Sequence, residues 1–162
     1  MPSFNYSMRL AISAALLLAA LSPSLRAQGN AVLSAAPAER LNIKRGSTAE
    51  LRIKAQLQPG FHVNSNTPAD EYLIPLKLTW AKEPIDVEQV TYPKPELEKY
   101  AFSANPVSVF SGNFEIVTRF KAPANAPPGL AIIAGKLRYQ ACNNKECLPP
   151  RTLDLRATVN VE

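Results

Sequence analysis

The chain contains few of the residues on which catalytic, metal-binding and phosphate-binding sites usually depend. Among its 162 residues there are two cysteines, one histidine and six glycines. The single histidine, His62, indicates no Ser-His-Asp triad. It is also far in sequence from the cysteines, whereas structural zinc normally takes four protein ligands. The glycines form no phosphate-binding loop. These scarcities argue against a metal site, a triad hydrolase and a nucleotide-binding enzyme.

Positive charge is not concentrated anywhere in the chain. The sequence has 18 Lys and Arg residues against 13 Asp and Glu, a net charge of +5. Two of the basic residues, Arg9 and Arg26, lie in a segment that we expect to be removed, which lowers the net charge to +3. No dense basic cluster with interleaved aromatic residues is present. We therefore expect no nucleic-acid partner.

A continuous apolar run occurs at the N-terminus. Residues 10–21 are almost all apolar and follow a short segment with one positive charge, Arg9. A stretch of about 20 apolar residues is needed to span a membrane, and this run is shorter. The layout predicts a secretory signal peptide over residues 1–27, cleaved near Ala27, and therefore a periplasmic or secreted protein. The alternative is a retained N-terminal anchor, for which Arg26 is a weak stop signal.

Removal of the signal peptide leaves residues 28–162, enough for one domain with its own core. Apolar and polar residues alternate in short segments, which is the period of a half-buried strand. The segments are residues 51–57, 76–80, 87–92, 107–110, 114–120, 130–139 and 153–161. Turns containing proline or glycine separate them. The pattern predicts an all-β fold, an immunoglobulin-like antiparallel β-sandwich, preceded by a loose lead-in over residues 28–38.

The two cysteines, Cys142 and Cys147, lie close together near the C-terminus. In an exported protein such a pair usually forms a structural disulfide. However, closing a six-residue loop stabilises a fold by only about 2 kcal/mol, against about 4.7 kcal/mol for a hundred-residue loop. Exposed or strained bridges tend to be labile. The intervening residues are polar, and Lys145 would favour a thiolate that Glu146 would oppose. Both a structural and a redox-active bridge are open at this point.

Four segments resemble one known family. Residues 139–142 and 147–152 read Tyr-Gln-Ala-Cys and Cys-Leu-Pro-Pro-Arg-Thr. Together with residues 59–66 and 72–75, they are similar to the N-terminal periplasmic domain of the thiol:disulfide interchange protein DsbD. The similarity covers residues 31–162. It implies an immunoglobulin-like fold whose two cysteines pass electrons without a cofactor.

The resemblance also implies partners and roles. In the family, electrons come from a membrane domain and continue to periplasmic thioredoxin-like proteins or disulfide isomerases. This chain ends at Glu162, so we expect a separate membrane electron donor and a role as a component of a protein-disulfide reductase. By similarity, Cys147 forms the mixed disulfide with partners and Cys142 resolves it. The best-known family members have five residues between the cysteines, and this chain has four.

Residues around the disulfide follow from the same resemblance. The family covers its disulfide with a cap loop that carries an aromatic residue, for which Phe102 is the first candidate and Tyr100 the second. His62 and Asn64 align with family positions near the disulfide, and Tyr139 belongs to the cysteine motif. The alternatives are that both aromatic rings only pack a loop onto the sandwich, and that His62 is a surface residue or a satisfied core residue.

Two functions therefore compete. The first is a periplasmic thiol-disulfide exchange module that passes electrons through Cys142 and Cys147 to partner proteins. The second is a noncatalytic immunoglobulin-like binding module with a purely structural disulfide. The reduction potential separates them, because structural disulfides have potentials below about −300 mV.

Overall fold

Strands account for all the regular structure in the part of the chain that the structure describes. The computed structural model describes residues 31–36 and 38–162, and the expected signal peptide over residues 1–27 lies outside them. The strands are β1 (Leu33–Ala35), β2 (Leu41–Ile43), β3 (Thr48–Leu57), β4 (His62–Asn64), β5 (Lys77–Trp80), β6 (Asp86–Thr91), β7 (Glu96–Glu98), β8 (Val107–Ser111), β9 (Asn113–Lys121), β10 (Gly129–Tyr139), β11 (Ala141–Cys142) and β12 (Arg151–Val161). Over the same residues, no helix is long and apolar enough to cross a membrane.

The strands form three sheets of four strands each. The first sheet has the order β1-β3-β9-β6, the second β2-β12-β10-β5 and the third β11-β4-β8-β7. Neighbouring strands are antiparallel, except that β2 and β12 run parallel. The fold is all-β and immunoglobulin-like, as the alternation predicts. The parallel pair at one edge is a feature that the alternation did not indicate.

One apolar core joins the three sheets. Every second residue is buried along much of β3, β10 and β12, which is the pattern of strands with one face turned inward. The third sheet contributes Val63 from β4 and Ala141 from β11 to the same core. Successive side chains of a strand point to opposite faces of the sheet. The neighbouring residues His62 and Cys142 therefore lie on the other face of the third sheet.

A close approach between Trp80 and Gly135 connects two strands of the second sheet. The two residues are paired across β5 and β10. The Trp80 indole donates a hydrogen bond from Nε1 to Oγ1 of Thr118 at 3.0 Å, and the Trp80 and Phe120 rings pack in a T-shaped pair with centroids 5.6 Å apart. A Cβ atom at Gly135 would lie 2.6 Å from the Trp80 ring. The glycine in the middle of β10 therefore makes room for the indole.

The seven predicted strands are confirmed as β3, β5, β6, β8, β9, β10 and β12. The other five strands have two or three residues each, too few for an alternation to be recognised. The prediction of a loose lead-in over residues 28–38 is wrong where β1 forms. This strand pairs with β3, and the side chain of Leu33 is fully buried because it completes the core at that edge.

Candidate functional site

The two cysteines form a disulfide at the edge of the third sheet. The sulfur atoms of Cys142 and Cys147 are 2.02 Å apart and the Cα atoms 3.9 Å apart. The two residues also face each other in an isolated antiparallel bridge. Cys142 is fully buried, whereas Cys147 is partly exposed. The two ends of the disulfide therefore differ in their access to another protein.

The turn between the cysteines is held by the side chain of Asn143. Its Oδ1 accepts hydrogen bonds from the backbone N–H groups of Lys145 at 2.8 Å and Glu146 at 2.9 Å. The backbone N–H of Asn143 donates to the carbonyl of Glu146 at 2.9 Å. Asparagine commonly closes turns in this way. The sequence indicated a polar turn but did not single out Asn143. The residue type was the signal that could have identified it, since asparagine side chains often bond to the backbone of a turn.

Gln140 fastens the base of this hairpin. The chain passes from β10 in the second sheet to β11 in the third at this residue. The Gln140 side chain donates to the carbonyl of Leu148 at 3.2 Å and accepts from the backbone N–H of Ile74 at 3.5 Å. The N–H of Leu148 also donates to the carbonyl of Ala141 at 2.8 Å. The two arms of the hairpin are therefore joined at its base, on the side of the disulfide opposite to the turn. No sequence signal identified this role of Gln140.

His62 lies directly beside the buried cysteine. In the pairing of β4 with β11, His62 faces Cys142, and in the pairing of β4 with β8 it faces Ser111. Residues that face each other across antiparallel strands have Cβ atoms about 4.5–5.5 Å apart and lie on the same face of the sheet. His62 is 3% exposed, and its Nε2 atom has no hydrogen-bond partner among the described residues. It is thus neither a surface residue nor a satisfied core residue.

The protonation of His62 is governed by its burial. Transfer of an imidazolium out of water is unfavourable, so burial lowers the pKa of His62 below its ordinary value. The Glu98 carboxylate opposes this shift with a smaller effect. The group is therefore neutral at pH 7 and presents an unprotonated nitrogen to its surroundings.

Three aromatic rings are stacked from the interior of the site to the surface. The rings of His62 and Tyr100 have centroids 4.2 Å apart, and those of Tyr100 and Phe102 have centroids 5.2 Å apart. Tyr100 is buried, and Phe102 is 36% exposed. We call the segment of residues 99–106, which joins β7 to β8, the ring loop. Its two aromatic side chains extend the stack outward from the sheet face that bears Cys142.

The ring loop is held to the third sheet by polar and apolar contacts. The Tyr100 hydroxyl donates a hydrogen bond to the carboxylate of Glu98, and burial together with this carboxylate raises the pKa of Tyr100. The ring also belongs to a second, smaller apolar cluster with Leu73, Val107 and Val109. This cluster is separate from the main core. It covers the third sheet on the face turned away from that core.

The other two predicted site residues are in different environments. Asn64 follows His62 on the same face of β4 and is 1% exposed. Its Nδ2 donates to the carbonyl of Ile74 at 3.0 Å, whereas its Oδ1 has no partner among the described residues. Tyr139 is buried in the main apolar core. The structure therefore brings His62, Tyr100 and Phe102 together in one stack, with Asn64 beside it, and Tyr139 packs elsewhere.

No cluster of three or more His, Cys, Asp and Glu side chains that could hold a metal ion occurs in residues 31–36 and 38–162. The reactive groups of the site are the two sulfur atoms, the imidazole of His62, and the Glu98 carboxylate that accepts the hydrogen bond of the Tyr100 hydroxyl. A disulfide with one accessible and one buried end is suited to exchange with another thiol, since attack must come from one side.

Comparison with known proteins identifies a family. The family described as "Thiol:disulfide interchange protein DsbD, N-terminal" matches residues 29–158. No curated protein matches the chain. Among solved structures, the chain is similar to the N-terminal periplasmic domain of ScsB from Proteus mirabilis, with a TM-score of 0.53, 15% identity, and coverage of 77% of this chain and 44% of that one. The chain thus spans less than half the length of that structure, and the likeness shows a shared fold.

Two further solved structures are similar at lower scores. The Neisseria meningitidis DsbD n-terminal domain in the reduced form has a TM-score of 0.46 and 15% identity, with coverage of 72% of this chain and 82% of that one. The seventh ScaB type I cohesin from Pseudobacteroides cellulosolvens has a TM-score of 0.43 and 12% identity, with coverage of 80% and 92%.

Proposed function

The chain belongs to the DsbD N-terminal domain family, and from this membership we propose that its disulfide passes electrons between proteins. Family membership and the Cys142–Cys147 bond together support a thiol-disulfide exchange module. The observation that supports electron transfer most directly is the asymmetry of the bond, with Cys147 partly exposed and Cys142 fully buried. An accessible sulfur can be attacked by a partner while its buried neighbour is kept for the internal step.

The cycle has two halves. A thiolate of a reduced donor protein attacks Sγ of Cys147, the bond to Cys142 breaks, and the electron pair remains on Cys142, which takes up a proton. A second donor thiol then releases Cys147, so that the donor leaves oxidised and both cysteines are reduced. In the other half, the Cys147 thiolate attacks the disulfide of an acceptor protein. Cys142 displaces the acceptor and the internal disulfide forms again.

The ring loop has the role of a lid in this proposal. Phe102 and Tyr100 would shield the disulfide from small thiols, and a partner would displace them on docking. The position of both rings above the face that bears Cys142 supports this role, because they form a continuous stack with His62. A lid that excludes other thiols makes exchange selective for proteins that can move it.

The partners and the compartment are part of the proposal. We propose that the acceptors are periplasmic thioredoxin-like proteins or disulfide isomerases, and that a separate membrane protein supplies the electrons. Export would follow from the signal peptide over residues 1–27, which brings residues 28–162 into the periplasm. The solved ScsB domain to which this chain is similar is periplasmic by its title, which supports this part of the proposal. The chemistry requires only cysteine thiols, so no cofactor takes part.

Trapping experiments test the exchange mechanism. The Cys142→Ala variant, presented with an oxidised thioredoxin-like protein, should accumulate a mixed disulfide through Cys147, seen by mass spectrometry and on a gel without reductant. The matched control is Cys147→Ala, which leaves only the buried Cys142 and should trap little or nothing. Equal trapping by both variants would contradict the assigned roles.

Redox equilibration distinguishes exchange from a structural bridge. The wild-type disulfide should equilibrate with glutathione buffers at a potential above about −300 mV. If the folded protein keeps the bond closed against glutathione and against thioredoxin-like dithiols, the module is a noncatalytic binding domain with a structural disulfide.

A further inference from the structure

His62 contains a polar atom that its surroundings leave without a partner. The Nε2 atom makes no hydrogen bond with any described residue, although the residue is 3% exposed. Most buried polar side-chain atoms in folded proteins are paired, so each exception requires an explanation. With the disulfide closed, neither sulfur of the neighbouring pair carries a proton. The atom would gain a partner if the adjacent Cys142 became a thiol.

The groups that face His62 define what it can act on. Cys142 faces it from β11, and the neutral Ser111 faces it from β8. Tyr100 covers its ring from the ring loop, and Glu98 acts on it from β7. The Ser111 hydroxyl is committed to Glu96 at 3.0 Å, and the Tyr100 hydroxyl is committed to Glu98. Once reduced, Cys142 is therefore the facing group whose proton is not already engaged.

We propose that His62 is the general base that deprotonates Cys142 when the internal disulfide forms, an inference that rests on the proposed exchange function. The Cys142 sulfur is fully buried, and an apolar environment disfavours its thiolate. A thiol cannot displace a partner efficiently until its proton is removed. His62 is the residue paired with Cys142 on the neighbouring strand, and residues paired in this way are close enough for their side chains to interact.

The proposed step balances as follows. In the mixed disulfide, Nε2 of His62 takes the proton of the Cys142 thiol. The Cys142 thiolate attacks Sγ of Cys147, the bond between Cys142 and Cys147 forms, and the bond between Cys147 and the partner breaks. The electron pair leaves with the partner sulfur, which takes up a proton. In the opposite direction, the imidazolium returns the proton to Cys142 as this sulfur becomes the leaving group.

The state of His62 at neutral pH fits a proton acceptor. Its lowered pKa keeps the imidazole unprotonated while the site is closed. General acid–base groups typically accelerate a step by about 10²–10⁴-fold. We therefore expect the internal step to depend on His62, and the attack of Cys147 on the partner disulfide to be nearly independent of it.

The test uses one equivalent of the aromatic disulfide 5,5′-dithiobis(2-nitrobenzoate) with the reduced, full-length exported protein. Attack by Cys147 releases a first thionitrobenzoate, and displacement by Cys142 releases a second, so stopped-flow absorbance separates the two steps. In His62→Gln we expect the second release at pH 7 to slow by about 100-fold or more, with the first release changed by less than about threefold. The control Ser111→Ala removes the neutral neighbour on the other side of His62 and should leave both releases unchanged.

The pH dependence of the second release separates a base from a structural residue. In the wild type the rate of the second release should rise with pH and level off below about pH 6.5, because the pKa of His62 is lowered from its ordinary value. In His62→Gln it should keep rising through the thiol range above about pH 8.5. If His62→Gln does not fold, His62→Phe keeps a ring against Tyr100 and should behave in the same way. A wild-type rate that rises through pH 8 without levelling, or variants with an unchanged second release, would overturn the role of His62.

Failure of this inference is distinct from failure of the exchange function. A wild-type protein that equilibrates with partner dithiols and whose second release is unaffected by His62→Gln retains its function and has another base. A protein whose Cys142→Ala variant traps no partner loses the function itself.

Discussion

The ring of Tyr100 lies against the ring of His62, with centroids 4.2 Å apart and planes inclined by 18°. This contact connects the ring loop to the strand that pairs with Cys142, so Tyr100 and the buried Cys142 share His62 as a neighbour. Aromatic pairs contribute about 0.5–1.5 kcal/mol beyond the area they bury. In the proposed lid role, a loop held by contacts of this size would be displaced by a docking protein and would stay closed to small molecules most of the time.

Removal of the outer ring should open the site to small reagents. In reduced Phe102→Ala, we expect iodoacetamide to alkylate the cysteines about three- to tenfold faster than in the wild type, because the stack loses the ring that lies at the surface. The rate is measured by mass spectrometry of quenched samples. The control is Tyr72→Ala, which removes an exposed aromatic ring outside the stack. Equal alkylation rates for Phe102→Ala and the wild type would remove Phe102 from a shielding role.

Stability should fall in mildly acidic solution, in part through His62. Burial lowers its folded pKa below the ordinary value of 6.5. Between these two pKa values the unfolded chain binds more protons than the folded one, so unfolding is favoured as the pH falls. The contribution of the neutral His62 to the free energy of unfolding is therefore fully present above about pH 6.5 and is lost as the pH drops toward the pKa of His62 in the folded protein.

Urea unfolding at about pH 7 and about pH 5.5 measures this effect. The wild type should lose more unfolding free energy between the two conditions than His62→Phe, which has no titrating group at that position. At about pH 5.5 most carboxylates are still ionised, which limits their part in the difference. An identical loss in the two proteins would mean that His62 does not titrate in this range on unfolding.

The Asn143 side chain should favour the closed disulfide. Asn143→Ala removes the acceptor of two backbone hydrogen bonds in the turn. A net loss of about 1 kcal/mol would shift the equilibrium with glutathione about fivefold toward the dithiol, because the turn no longer holds the two sulfurs together. The measurement is the ratio of oxidised to reduced protein in glutathione buffers.

Asn144 provides the matched control for this experiment. It is the adjacent, exposed residue of the same type, and its side chain makes no hydrogen bond with other described residues. Asn144→Ala should therefore leave the glutathione equilibrium where it is in the wild type. If both alanine variants shift it equally, the effect belongs to the composition of the turn and not to the hydrogen bonds of Asn143.

The approach of Trp80 to Gly135 should make this glycine intolerant of any side chain. In Gly135→Ala, the added Cβ atom would lie 2.6 Å from the indole, and we expect this overpacking to lower the free energy of unfolding by about 1–3 kcal/mol. Trp80 is the single tryptophan, so its fluorescence during urea unfolding measures the change in the free energy of unfolding. Lys136→Ala, an exposed change at the next residue, should stay within about 0.5 kcal/mol of the wild type. If both variants have the same midpoint urea concentration as the wild type, the close packing of Trp80 on Gly135 is contradicted.

The long strands were predictable because their sequences contain enough residues to display the alternation. In β3, Leu51, Ile53 and Ala55 are buried and separated by exposed residues. The strands that carry the site were not predictable in this way. β4 has three buried residues in succession and β11 has two. One face of each strand meets the main core, and the other face is covered as well, in β4 by Tyr100 of the ring loop. A strand covered on both sides shows no alternation.

The sequence by itself determined the all-β class, the position of the two cysteines and, through a resemblance, the family. These properties depend on local patterns: side-chain period, turn residues and a short motif. Only the tertiary structure decided that His62 faces Cys142, that Tyr100 covers His62, and that one sulfur is buried while the other is partly exposed. Those relationships arise from strand pairing between distant parts of the chain, and pairing depends on how all the sheets share one core.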